Sequence, residues 1–128
     1  MKGILYLNSI RDFSSIQCDF RFEITRYPKL QKYPQVTLMQ SLAPSVRLLN
    51  FFKAHTKLSE DTLLTYYYQY KMELSNSIQA KKDIKYIQDC LDQGNSVQLI
   101  CFCSDFRYCH RTILGKWFEQ KGYSVIYA

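Results

Sequence analysis

The run Val97-Gln98-Leu99-Ile100-Cys101-Phe102-Cys103 constrains this chain more than any other stretch. It is too short for a stable helix and too apolar for a strand with one wet face, so it predicts a strand covered on both faces, the kind found at the centre of parallel sheets. The residues after it fit that reading. A polar loop over Ser104 to Tyr108 leads into His110 to Lys121, where Ile113, Leu114, Trp117 and Phe118 form a helical stripe. Gly122 ends the stripe, and Tyr123 to Tyr127 reads as another strand. A strand–helix–strand unit of this length pairs its strands in parallel with a right-handed crossover.

Upstream, Ile4 to Leu7 is a short apolar run, and Phe20 to Thr25 alternates Phe20, Phe22 and Ile24 with Arg21, Glu23 and Thr25, the period of a half-buried strand. Tyr-Pro occurs at 27–28 and again at 33–34, and a residue before proline is pushed away from helical angles. The stretch Arg26 to Met39 therefore reads as a loop. Ser41 to Ser45, with Pro44, suits a helix start followed by Val46, Leu49 and Phe52 at helical spacing. A second start, Ser59-Glu60-Asp61, opens a helix with Leu63, Tyr66, Tyr67, Tyr70 and Leu74 on one face. A third helix covers about Ala80 to Gln93, with Ile84, Ile87 and Leu91 on one face and Gly94-Asn95 as its left-handed stop. The expected architecture is an α/β three-layer sandwich around a small, mainly parallel sheet, Rossmann-like, with residues 1–128 as a single domain.

Composition narrows the setting. The chain is 47% hydrophobic and 22% charged, which fits a globular protein and excludes disordered and low-complexity classes. No apolar run reaches the length of a membrane helix, and the start is too short for a signal peptide, so a soluble cytoplasmic protein without membrane contact is expected. The five cysteines are an odd number and are expected as reduced thiols, with Cys18 and Cys90 packed as small hydrophobes. The net charge of 17 − 11 = +6 favours anionic partners. The basic residues are scattered rather than striped, so nucleic acid is kept as one candidate partner beside an anionic small molecule or nucleotide.

Chemistry is expected in the loop from Cys103 to Arg111, where a central strand ends and a helix begins. A helix N-terminus presents unpaired N–H groups and partial positive charge, so it binds anions and acidifies a thiol placed there. Cys109 occupies that place as candidate nucleophile, with His110 as acid, base or donor and Cys103 beside them. Arg107 and Arg111 add charge suited to bidentate contact with phosphate or carboxylate. Arg26, just past the second strand, would emerge at the same sheet edge if the two strands are parallel neighbours, giving an anion clamp with Arg111; the plainer alternative is an ion pair with Glu23. Tyr66 and Tyr70 are candidate substrate contacts, with covering a sheet edge as their plainer role. His55 reads as a residue at a helix C-terminus.

Other arrangements of the cysteines fit less well. Cys101, Cys103, Cys109 and His110 lack the usual zinc-knuckle spacing, so no metal is assigned. Cys101 and Arg107 are related as in a phosphatase loop, without the glycines that bring backbone N–H groups onto phosphate. A Cys103–Cys109 redox pair needs an acidified, accessible thiolate. No cofactor is expected.

The closing run from Val97 to Cys101, followed by Cys109-His110-Arg111, Trp117 and Gly122-Tyr123-Ser124-Val125, resembles the closing motif of the domain-of-unknown-function 488 family. Three further segments are similar to its short members: Ile24-Thr25-Arg26-Tyr27-Pro28, Leu42-Ala43-Pro44-Ser45, and the helix with Tyr66, Tyr70 and Leu74. The resemblance implies that Arg26, Pro44, Ser45, Cys109, His110 and Arg111 belong to one constellation. It names no agreed activity. Many short members carry Glu where this chain has Cys103. Two functions remain open: an enzyme acting on a phosphorylated or otherwise anionic small molecule, nucleotides and nucleic-acid components included, or a non-catalytic nucleotide or nucleic-acid binding module with a regulatory or host-interaction role.

Overall fold

The computed structural model describes residues 2–11, 13–54, 59–101 and 110–127, the side chains of 52–54 excepted. In chain order these form β1 (Ile4–Ser9), a 3-10 turn (Phe13–Ser15), β2 (Phe20–Glu23), β3 (Val36–Leu38), a second 3-10 turn (Gln40–Leu42), α1 (Val46–Ala54), α2 (Glu60–Asn76), α3 (Ile78–Asp92), β4 (Val97–Cys101), α4 (His110–Gln120) and β5 (Ser124–Tyr127). The strands pair in parallel throughout, in the order β3-β2-β4-β1-β5. β4 is central and buried along its whole length, as its apolar sequence requires. This is the α/β Rossmann-like arrangement expected from the sequence.

Strand alternation divides β4 between two packing layers. Val97, Leu99 and Cys101 join Leu5, Leu7 and Phe22 in one cluster, which also takes the buried apolar side chains of α1, α2, α3 and α4. On the opposite face Ile100 packs with Phe13 and Leu30, against Ile10, Tyr33 and Val36. The third layer is thus built from the first 3-10 turn and the segment around Leu30 and Tyr33. Gln98 is fully buried on this face and satisfied: its Nε2 donates to Asn8 Oδ1 (2.7 Å) and to the Phe13 carbonyl (2.9 Å), and its Oε1 accepts from Arg21 Nε (3.1 Å). A buried amide so paired costs little, and it fixes the Phe13 turn over the sheet.

Local signals account for the ends of the helices. Ser59 and Ser77 accept from the Thr62 and Ala80 N–H groups as N-caps of α2 and α3. Gly94 and Gly122 take φ of 89° and 93°, the left-handed stops after α3 and α4. Cys90 is buried, and Cys18 is half-buried with its thiol near Gln98 Oε1; burial pushes both thiols up.

The stretch Arg26 to Met39 is not loop throughout. It contains β3, whose Val36, Thr37 and Leu38 align with Arg21, Phe22 and Glu23 of β2. A three-residue edge strand flanked by Tyr33-Pro34 has no period to read, and its ladder comes entirely from β2.

Candidate functional site

Strand order places the site. The connection leaving β2 runs outward to β3, whereas the one leaving β4 runs the other way, over β1, to β5. The chain therefore diverges between the carboxyl ends of two adjacent strands, and ligands of open α/β sheets bind in the crevice such a divergence creates. Ile24 follows β2 on one side, and His110 opens α4 on the other. His110 Nε2 lies 2.6 Å from the Ile24 carbonyl and bridges the crevice. A carbonyl only accepts, so Nε2 carries the proton, and in the neutral ring Nδ1 holds the lone pair.

The imidazole is fixed from a second direction. Tyr70 meets it edge-on, with ring centroids 5.6 Å apart and planes at 69°. The Tyr70 hydroxyl donates to the Leu42 carbonyl at 2.5 Å, and the Tyr66 ring stacks on Tyr70 from one turn earlier in α2. Both tyrosines are core residues, and Tyr70 reaches the site through its contact with His110.

Arg111 follows His110 and is 1% exposed. Its Nη1 donates to Cys101 Sγ at 3.2 Å, so a permanent positive charge stands at the carboxyl end of the central strand. Arg111 is therefore inside the protein rather than in solvent. Cys101 itself is fully buried.

Arg26 does not pair with Glu23. Its Nε donates to the Pro44 carbonyl (3.1 Å) and its Nη2 to the Ala43 carbonyl (3.3 Å), while the Gln40 side chain donates to the Arg26 carbonyl (2.7 Å). β2 and β4 are parallel neighbours, as the clamp argument required. Glu23 is buried and serves the backbone instead: it accepts from Thr25 Oγ1 (2.7 Å), Lys29 N (2.7 Å) and Leu30 N (3.2 Å), tying down the segment that carries Ile24 and Arg26. A carboxylate holding several N–H and O–H donors fixes a loop more firmly than neutral acceptors do.

The segment Leu42-Ala43-Pro44-Ser45 is the common anchor, since Tyr70 and Arg26 both bond to its carbonyls. Ser45 Oγ accepts from Leu48 N (3.1 Å) at the start of α1 and donates to Glu73 Oε2, while Ser45 N donates to Glu73 Oε1 (2.9 Å). Arg26, Ser45 and Glu73 line a cleft of about 730 Å³ together with Arg47, Tyr68 and Gln40. That volume falls within the range of ligand pockets, about 300–1,000 Å³.

His110, Tyr70 and Ile24 thus meet at the crevice, and Arg26 and Ser45 at the adjoining cleft, with residues 42–45 between them. Sequence reasoning missed Glu73. It lies seven residues after Tyr66 and three after Tyr70, on the same stripe of α2, and a carboxylate on an otherwise aromatic stripe was the available signal. It also missed the backbone carbonyls of residues 24 and 42–44, which no residue type announces. Cys103, Arg107, Cys109 and His55 lie outside the described residues. Among the described residues no helix is long and apolar enough to cross a membrane.

The fold and crevice define an α/β protein of the Rossmann-like class with a site at a strand-order divergence. The family model described as the active DUF488-N3 subclade matches residues 21–122. The chain belongs to the domain-of-unknown-function 488 family. No curated protein and no solved structure matches it.

Proposed function

We propose that this protein is an enzyme acting on a phosphorylated or otherwise anionic small molecule, with nucleotides the first candidates, at the carboxyl ends of β2 and β4. The observation that carries this reading is the imidazole of His110, held across the crevice by the Ile24 carbonyl and by the Tyr70 ring. Holding a titratable ring from two elements fixes its tautomer and direction, which acid–base chemistry needs and a surface histidine lacks. His110 is the acid or base, and Cys109, one residue earlier in the sequence, is the nucleophile or oriented donor, since a helix N-terminus favours the thiolate of a cysteine placed there. Arg111 and Arg26 supply positive charge, and Arg107 and Cys103, close to Cys109 in the sequence, complete the proposed set. The subclade whose model matches is described as active, which agrees with a catalytic role.

Alkylation of each cysteine as a function of pH, mapped by mass spectrometry with and without phosphate and nucleotides, tests the reading. Cys109 is expected to react with an apparent pKa below the free-thiol value of about 8.5 and to be protected by anions. A Cys109 inert until the chain unfolds overturns the nucleophile assignment. Cys109→Ser and Arg111→Ala are expected to abolish turnover. Anion binding that survives Cys109→Ser but not Arg26→Ala, in a protein without turnover, identifies a binding module instead.

A further inference from the structure

A second cavity, of about 520 Å³, lies between α2, α3 and α4. Its floor is apolar, formed by Ile84, Ile113, Leu114 and the indole of Trp117. Ile113 and Leu114 are buried in the main core, and Ile84 and Trp117 pack against it, so the floor is rigid. Its rim is basic: Lys71 from the second half of α2 and Lys81 and Lys85 from α3 line it, and among the described residues no carboxylate does. Lys85 pairs with Asp89, and among the described residues that is the single ion pair. All three lysines are exposed.

We propose that this cavity binds an anionic amphiphile, a small molecule with an apolar body and one carboxylate, sulfonate or phosphate head. The body fills the space over Trp117 and Ile84, displacing water from apolar surface, and the head meets the lysines at the rim. An uncharged apolar ligand leaves the lysines unused, and a cationic one is repelled by Lys71 and Lys81, for which no ion pair is found among the described residues. Charge complementarity therefore selects the occupant. The site is separate from the crevice, and the inference does not rest on the catalytic reading.

Among the described residues, Leu74 is the one side chain that lines both this cavity and the cleft containing Arg26. Ile113 and Leu114 follow His110 by three and four residues on α4. An occupant thus touches the helices that carry both parts of the candidate site without entering it.

The chain has a single tryptophan, so indole fluorescence reports on this cavity alone. The test titrates the full chain with decanoate, decanol and decyltrimethylammonium, and repeats each titration in competition with anilinonaphthalene sulfonate. Saturable perturbation of Trp117 by decanoate, with decanol and the cation binding more weakly, is expected. Replacing the two rim lysines outside the Asp89 ion pair, Lys71→Gln with Lys81→Gln, is expected to weaken decanoate about fivefold or more while leaving decanol unchanged. Equal affinity for the three probes overturns the proposal, as does absence of a saturable Trp117 response. Equal loss for decanoate and decanol in the double variant also overturns it, because the lysines then act through the fold and not through the head group. Circular dichroism of the variant gives the folding control.

Discussion

Tyr70 stands edge-on to His110, with ring centroids 5.6 Å apart, and donates its hydroxyl proton to the Leu42 carbonyl. One buried side chain of α2 thus sets both the imidazole at the start of α4 and the backbone segment that holds Arg26. Removing only the hydroxyl separates these roles. Tyr70→Phe keeps the ring contact and gives up the bond to a buried carbonyl, so a loss of about 1–3 kcal/mol is expected in urea unfolding. Tyr70→Ala also loses the packing, and a loss of about 3–5 kcal/mol is expected.

Glu23 orders the exit from β2 by accepting from Thr25, Lys29 and Leu30. Glu23→Ala removes a buried acceptor from two backbone N–H groups, and hydrogen bonds to charged groups are worth about 1.5–3 kcal/mol each. A stability loss of about 3 kcal/mol or more is expected. Hydrogen exchange at Leu30 is expected to accelerate beyond the global change. Unchanged protection there would show that the loop holds itself.

Gly115 lies where α4 crosses the sheet. A Cβ at this position would stand 2.5 Å from Leu7 Cδ1 and 2.8 Å from the Tyr127 hydroxyl. The Tyr127 hydroxyl is bonded to Glu119, and Leu7 is fully buried and has nowhere to go. Helix propensity favours alanine by about 1 kcal/mol, and overpacking costs about 1–3 kcal/mol, so Gly115→Ala is expected to destabilise on balance. Thermal unfolding of the variant gives the sign directly.

Stability is expected to fall on the alkaline side. Burial raises the Cys90 thiol above 9.0 and the Tyr123 hydroxyl above 10.0, with the bond to Asp92 adding to the latter, and burial followed by the bond to Glu119 raises Tyr127. The unfolded chain loses these protons first. The stabilisation is therefore complete below about pH 9 and is lost as pH climbs through the raised folded values. Urea midpoints should hold steady up to about pH 9 and decline above it. A flat profile to about pH 11 would contradict the buried placement of these groups.

Much of the fold was legible because its signals are local. The apolar run at Val97 placed β4 at the centre, Gly94 and Gly122 marked the helix stops, and Ser59 marked the start of α2. The rest depended on partners distant in sequence. β3 exists because β2 offers it a ladder, and the reach of Glu23 to Leu30 or of Arg26 to the Ala43 and Pro44 carbonyls leaves no trace in residue type. His110 was visible as a candidate from its place between strand and helix. Its orientation was not, since it depends on Ile24 and Tyr70, which come from two other elements. The charge of Arg111 was legible, but its burial against Cys101 was not, since that depends on the end of β4 lying beside the first turn of α4.

The strand order also dictates when the sheet can assemble during synthesis. β1 pairs only with β4 and β5, and β2 pairs with β4 on its inner side. Until Val97 has left the ribosome, the first strand has no neighbour at all, and the second has only the three-residue β3. A nascent chain halted before that point carries two apolar strands with open edges, a template for association with other chains. Dependence on contacts so far apart in sequence also slows folding of the finished chain. Early truncations should therefore be insoluble, because the strand that joins the two halves of the sheet is the fourth to be made.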